Sequence, residues 1–290
     1  MRYTAIAVIA AGLGISIGQA AKAADMPAAP VYRAPVVAPV YSWSGIYIGI
    51  NAGGAWSRSN VPTSTVFDPL GYFDVASVPA INAAGAQAID TTGFLGGAQV
   101  GYNLQSGRFV AGLEFDFDYF RLRGSSTTTG VYPCCAPAIF TVSSSVRADW
   151  LATLRGRIGM TADNWLFYAT GGLAVANLKG NFGFTDNCGD VAACNGPGGP
   201  NAVEAASVSK IRFGYAVGGG VEAGLWSNWS LKAEYLYVGF RSESVVGFIT
   251  TPGIAPFAVN NPFTHTVDLK AHIARLGLNY RLGGPVTARY

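Results

Sequence analysis

From Gly45 onward, apolar residues alternate one by one with small or polar ones. Ile46, Ile48, Ile50 and Ala52 fall on one face and Tyr47, Gly49, Asn51 and Gly53 on the other, as far as Trp56. Period-two alternation of this length predicts a strand with one apolar face. The pattern recurs over Phe94–Leu104. It is sharpest over Phe109–Phe120, where Phe109, Ala111, Leu113, Phe115, Phe117 and Tyr119 alternate with Val110, Gly112, Glu114, Asp116 and Asp118. Three carboxylates opposite an unbroken apolar row do not suit a strand of a soluble core. The apolar row wants lipid and the acidic row wants a polar interior. Five further strands are predicted at Val146–Met160, Trp165–Leu178, Lys210–Leu225, Trp229–Arg241 and Val267–Leu282. That makes eight, an even number, as single-chain bacterial barrels require.

The joins alternate in length. Those at 105–108, 161–164 and 226–228 are short, whereas 57–92, 121–145, 179–209 and 242–266 are long and rich in Ser, Thr, Pro, Gly and Asn. The expectation is an all-β fold: an eight-stranded antiparallel up-and-down transmembrane β-barrel with short periplasmic turns and four long extracellular loops. Ten residues at about 3.3 Å, tilted by roughly 40°, rise about 25 Å, the height of the apolar band. Trp43, Trp165, Trp226 and Trp229 fall at the turn side of the predicted strands and Trp56 and Trp150 at the loop side, as two interfacial belts would have them.

Composition agrees. Only 12% of the 290 residues are charged, against about a quarter in a soluble domain. The 38 glycines and 12% aromatics suit a barrel better than a helical bundle. The formal charge of +3 carries no basic run, so nucleic acid is not an expected partner. Residues 1–23 read as a signal peptide: Arg2, an uncharged run from Ala5 to Gly18, and Ala21-Lys22-Ala23 for cleavage. Residues 24–44 form a Pro/Ala-rich periplasmic leader, 45–282 the barrel and 283–290 a C-terminal extension. No other stretch offers the apolar run a spanning helix needs. A sheet in lipid must close on itself to satisfy its backbone.

The alternation assigns charged residues to the lumen: Glu114, Asp116, Asp118, Asp149, Glu222 and Glu234 against Arg155, Arg157, Arg212, Lys232, Arg275 and Arg281. The third and fourth strands are neighbours, so the acids of one can face Arg155 and Arg157 of the other. Glu222 and Lys232 are predicted to lie directly opposite across the turn at 226–228. A barrel of eight strands has room for little beyond its own side chains, so this network reads as a satisfied polar filling rather than a conducting or catalytic path.

Other chemistry is sparse. Export permits disulfides. Cys188 and Cys194 close the easiest loop, a bond between the adjacent Cys134 and Cys135 is sterically awkward, and three pairings stay open. His265 and His272 are expected to be ordinary surface residues, and no nucleophile is marked by its spacing to either. Gly218-Gly219-Gly220 lies within a strand and reads as close packing, not a dinucleotide fingerprint. No metal or cofactor is expected.

Tyr41-Ser42-Trp43-Ser44-Gly45-Ile46-Tyr47-Ile48-Gly49, after the Ala/Pro-rich leader, resembles the first strand of the small outer-membrane immunogenic proteins of alpha-proteobacteria, relatives of the OmpA membrane domain and OmpX. Gly112-Leu113-Glu114-Phe115-Asp116 is similar to the family's third strand. Arg275-Leu276-Gly277-Leu278-Asn279-Tyr280-Arg281-Leu282 resembles the β-signal read by the barrel assembly machinery, with Arg275, Gly277, Tyr280 and Leu282 at its key positions. Family members often end on Phe; this chain has Leu282 and then Gly283 to Tyr290. The resemblance implies an abundant surface-exposed barrel that supports envelope integrity and meets outer-membrane lipid, lipopolysaccharide, and an extracellular or host ligand of unknown identity. It supplies no reaction. A non-enzymatic structural and interaction protein is the favoured expectation. A narrow porin-like channel and a rim-located lipid-modifying enzyme are the alternatives.

Overall fold

The computed structural model describes residues 41–194, 198–251 and 261–283. The expected signal peptide, nearly all of the expected leader and residues 284–290 lie outside them. Eight strands close a ring: β1 (Gly45–Thr65), β2 (Ala86–Ser106), β3 (Phe109–Val131), β4 (Ile139–Ala162), β5 (Trp165–Asp186), β6 (Val203–Gly224), β7 (Trp229–Phe240) and β10 (Lys270–Leu282). Neighbours pair antiparallel throughout. The last strand returns to the first in the register Ile46↔Leu282 to Trp56↔His272. No sheet edge is left at membrane height, as lipid demands.

The expected alternation is present along the wall. Ile50 is 64% exposed and its neighbour Asn51 5%. The same holds for the exposed Phe115 and Phe117 against the buried Asp116 and Asp118. Each short turn contains one residue in the left-handed region, Gly107, Asp163 or Ser227. That backbone hand matches the twist of the strands entering and leaving a tight hairpin.

The long loops differ from expectation. β1 to β6 run for 21, 21, 23, 24, 22 and 22 residues. At about 3.3 Å per residue and a tilt near 40° they rise roughly 55 Å, about twice the apolar band. Residues 57–65, 86–92, 121–131, 139–145, 179–186 and 203–209 are therefore strand throughout, not loop. The Ser/Thr composition suggests loops, yet the period-two pattern continues through it: Phe140, Val142, Ser144 and Val146 point in, while Thr141, Ser143 and Ser145 between them face outward. β7 and β10 are shorter; the strand expected from Val267 starts at Lys270, and the expected loop 242–266 contains two further strands. β8 (Glu243–Phe248) and β9 (Pro262–Val267) form a hairpin, with β9 joined to β1 through Thr63↔His265.

The interior is layered. At the turn end Trp43, Val110, Leu166 and Tyr168 make an apolar floor. The charged layer lies above it. Next comes an apolar layer to which every strand of the ring contributes: Ala55, Leu95, Phe120, Leu151, Ala174, Ala216, Leu236 and Ile273, each buried. At the far end α1 (Ser77–Gly85) packs Val78 and Ile81 with Phe73, Phe140, Phe184 and Phe263 into a cap. Within lipid the barrel is polar inside and apolar outside. Beyond it, the same strands carry an ordinary apolar core with polar residues facing water.

Candidate functional site

The charged layer is where the predicted lumen residues gather. Arg155 is its hub: Nη2 meets Glu114 at 2.6 Å and Asp116 at 2.7 Å, and Nη1 meets Glu234 at 3.1 Å. Arg275 spans Asp118 at 2.9 Å, Asp116 at 3.2 Å and Glu234 at 2.7 Å. Lys232 reaches Glu114 at 3.0 Å and donates to Gln99 at 2.9 Å. Arg157 holds Glu222 at 2.8 Å and lies 3.5 Å from Glu114. Arg155 and Lys232 are both 0% exposed. Removing such charges from water costs several kcal/mol per ion unless each is paired and hydrogen-bonded, and here every cation meets at least one carboxylate.

The register explains the meetings. Glu114 lies opposite Arg155 and Gly112 opposite Arg157 on β3–β4, and Glu234 lies opposite Arg275 on β7–β10. Glu222 and Lys232 are directly opposite, as expected. They turn to different partners, however: Lys232 goes to Glu114, whereas Glu222 takes Arg157, Ser230 at 2.5 Å and Asn279 at 2.7 Å.

Neutral side chains complete the network, and charge patterning alone passed over them. The Tyr47 hydroxyl donates to Glu114 at 2.6 Å and accepts from Arg157 at 2.9 Å. The Tyr168 hydroxyl donates to Glu234 at 2.8 Å, and its ring lies 4.1 Å from the Arg157 guanidinium. Thr153 donates to Asp116 at 2.7 Å. Thr153 and Asn279 share the inward parity of Arg155 and Arg275 on their strands, whereas Tyr47, Gln99 and Tyr168 lie on the buried face of strands that bring no charge to the layer, so following the inward face on every strand is the signal that finds them. Gly101 and Gly220 make the space: a Cβ at Gly101 would strike the Tyr47 ring, and one at Gly220 the Tyr168 hydroxyl.

Three expected lumen residues lie elsewhere. Asp149 falls in a bulge between Ala148 and Leu151 that resets the inward parity of β4, and it pairs with Lys179 at 2.7 Å on the outer side. Arg212 has the inward parity but stands beyond the apolar layer, where it pairs with Glu243 of β8. Arg281 lies at the floor, donating to Asn228 at 3.0 Å, with Tyr41 beneath it. The central layer thus holds Arg155, Arg157, Lys232 and Arg275 against Glu114, Asp116, Asp118, Glu222 and Glu234.

Residues 9–281 of the chain match the family model of the outer membrane protein beta-barrel domain. The chain belongs to that family. It is an outer-membrane β-barrel. It is 32% identical over 278 residues to the 31 kDa outer-membrane immunogenic protein of Brucella melitensis, covering 94% of this chain and 98% of the relative. It is 30% identical over 153 residues to the 22 kDa outer membrane protein of Rhizobium leguminosarum, covering 53% and 56%. Among solved structures it is similar to OprG of Pseudomonas aeruginosa, with a TM-score of 0.41 and 11% identity over 82% of this chain and 97% of that one.

The outer-membrane barrel carries its remaining expected residues as follows. Tyr280 and Leu282 face outward on β10 and Arg275 and Gly277 inward, with Tyr280 packed on Trp229 at 5.0 Å. Cys188 and Cys194 are disulfide-bonded, and so are the adjacent Cys134 and Cys135. Both bonds line one small recess of the cap beside Phe73 and Tyr132. Trp43 is buried in the floor instead of facing lipid. His265 is not a surface residue: it is fully buried between Thr63 at 2.9 Å and Glu204 at 3.2 Å. His272 faces outward, stacked on Trp56 at 5.8 Å, with the Tyr235 hydroxyl 2.5 Å from Nδ1.

Proposed function

We propose that this outer-membrane barrel is a non-enzymatic protein that braces the envelope and presents its extended outer half to the surroundings. One observation carries the reading: the apolar layer drawn from all eight ring strands lies across the lumen directly above a dry ion-pair network. A conducting pore needs a continuous wet path. Here the charges are spent on one another below, and apolar side chains close the space above.

The rim-enzyme alternative meets a different obstacle. Thr63, His265 and Glu204 form a hydroxyl–imidazole–carboxylate chain, the order a nucleophilic site would use. All three are buried, Thr63 at 1% exposure, so no substrate carbonyl can approach the hydroxyl. Here the chain ties β1, β9 and β6 together. The outer half, built from paired strands and closed by a disulfide-bonded cap, offers a firm surface to an extracellular ligand.

The test is single-channel recording of the refolded full chain in a planar bilayer, with folding verified by heat-shifted mobility. The expected result is silence from folded protein. Reproducible discrete steps would overturn the closed-barrel reading and put the channel in its place.

A further inference from the structure

Just beyond the apolar band, three neighbouring strands place cations side by side on the outer wall. Arg123 of β3 lies directly opposite Arg147 of β4, and Arg147 directly opposite Lys179 of β5. Like charges directly opposite on adjacent strands are destabilising by themselves. Asp149 relieves the row only in part. It takes Lys179 at 2.7 Å and acts on the two arginines through space, leaving three cations against one carboxylate. Among the described residues neither Arg123 nor Arg147 has a salt bridge.

The local backbone is shaped around this row. Both ladders flanking β4 slip at the same height, between Tyr119 and Leu122 on the β3 side and between Ala148 and Leu151 on the β5 side. Bulges re-aim side chains and bend the strand. Here they adjoin a shallow concavity of about 420 Å³ whose lining includes Arg123, Arg147, Ser125, Ser145 and Asn181. On the lipid side of the slip, Trp150 stacks on Phe117 at 5.8 Å and Tyr119 is exposed. Aromatics of this kind mark the interface between hydrocarbon and headgroups. The concavity therefore opens at headgroup height, on the side of the long strands that faces away from the cell.

We propose that Arg123, Arg147 and Lys179 bind a phosphate group of a lipid headgroup in the outer leaflet. A phosphate monoester supplies the negative charge that the row lacks. Two guanidinium groups can engage it in bidentate fashion while the ammonium of Lys179 adds a point charge. The opposition of Arg123 and Arg147, a liability in an empty site, becomes complementarity once the anion sits between them. The site faces outward, so it stands or falls independently of whether the lumen conducts.

The experiment uses the full chain refolded into phosphatidylcholine vesicles with or without diphosphoryl lipid A, and reads thermal unfolding by heat-shifted mobility. Lipid A should raise the unfolding temperature of the wild type. In phosphatidylcholine alone R123Q/R147Q should unfold at the wild-type temperature or above it, because the like-charge opposition is gone. It should lose most of the lipid A increment, whereas R123K/R147K should keep part of it and R58Q, outside the row, all of it. An equal increment in wild type and R123Q/R147Q would overturn the proposal, as would an equal increment from dephosphorylated lipid A. If inorganic phosphate in phosphatidylcholine vesicles reproduces the full shift, the lipid assignment fails and the site takes free phosphate.

Discussion

Arg155 and Glu114 face each other directly across the β3–β4 ladder and meet end to end, Arg155 Nη2 donating to Glu114 Oε1 at 2.6 Å with both side chains out of contact with water. The pair sits at the centre of the charged layer. Glu114 also takes Lys232 at 3.0 Å and the Tyr47 hydroxyl at 2.6 Å.

Glu114→Ala should therefore be far more damaging than the loss of one ion pair. It leaves Lys232 without its shortest carboxylate contact and takes one of the three carboxylates from Arg155. Breaking a buried pair by removing one partner costs about 3–5 kcal/mol. The folded band in detergent should convert to the unfolded position at a clearly lower temperature. Glu114→Gln, which keeps the shape and some of the hydrogen bonds, should fall between the two. Unchanged heat resistance in Glu114→Ala would mean the network does not hold the barrel together.

Gly101→Val and Gly220→Val test the space rather than the charge. Each adds carbon where a tyrosine of the network already lies, Tyr47 in one case and Tyr168 in the other. Overpacking costs typically about 1–3 kcal/mol. Gly101→Val/Tyr47→Phe should not recover the wild type, because the Phe ring still occupies the space. Gly101→Val/Tyr47→Ala should relieve the clash, though without the hydroxyl between Glu114 and Arg157. Equal melting of Gly101→Val and wild type would show that the Tyr47 ring has room to move.

The membrane half of this fold was legible in the sequence because lipid makes the rule strict. Every second residue from Ile46 or Phe109 must be apolar outside, so Glu114 and Asp116 could be placed from parity alone. Parity failed at Asp149 for a local reason: one bulge shifts the count, and nothing in Arg147-Ala148-Asp149-Trp150 marks it. The outer half was harder to read. Water tolerates Ser and Thr on a strand as readily as on a loop, so composition at 121–145 suggested a loop while the inward Val142 and Val146 were spaced as strand. His265 was misplaced for a related reason. Its burial depends on β9 pairing with β1 across two hundred residues of chain, which no local pattern encodes.

The cap offers a pH dependence that can be checked separately from the lumen. Asp186, at the outer end of β5, has its carboxyl pushed above the ordinary aspartate value by burial, against the downward pull of hydrogen bonds from the Ala202 amide at 2.7 Å and the Tyr132 hydroxyl at 2.8 Å. A carboxyl whose folded-state pKa is raised binds its proton more tightly when folded, so its contribution to stability is present at low pH and lost as pH rises through the raised value. Proteolysis of the cap should slow as pH is lowered from neutral into that range. Asp186→Asn should flatten the profile. The same slope in the variant would assign the pH dependence to another group.

The closing strand carries the last prediction. β10 meets β1 from Ile46↔Leu282 to Trp56↔His272, so the ring is already closed by Leu282. Tyr280 lies opposite Ile48 and faces outward, packed on Trp229 of β7 at 5.0 Å, where its ring forms part of the lipid-facing surface at the turn end. Truncation after Leu282 should leave assembly intact, as measured by the heat-shifted fraction of membrane-inserted protein in cells. Tyr280→Asp should sharply reduce it, because a carboxylate on the lipid face disfavours insertion and the change takes the aromatic from the proposed assembly signal. Tyr280→Phe keeps the ring and should assemble normally. Failure of the truncated chain to insert would move the signal into residues 283–290, whereas normal assembly of Tyr280→Asp would remove Tyr280 from it.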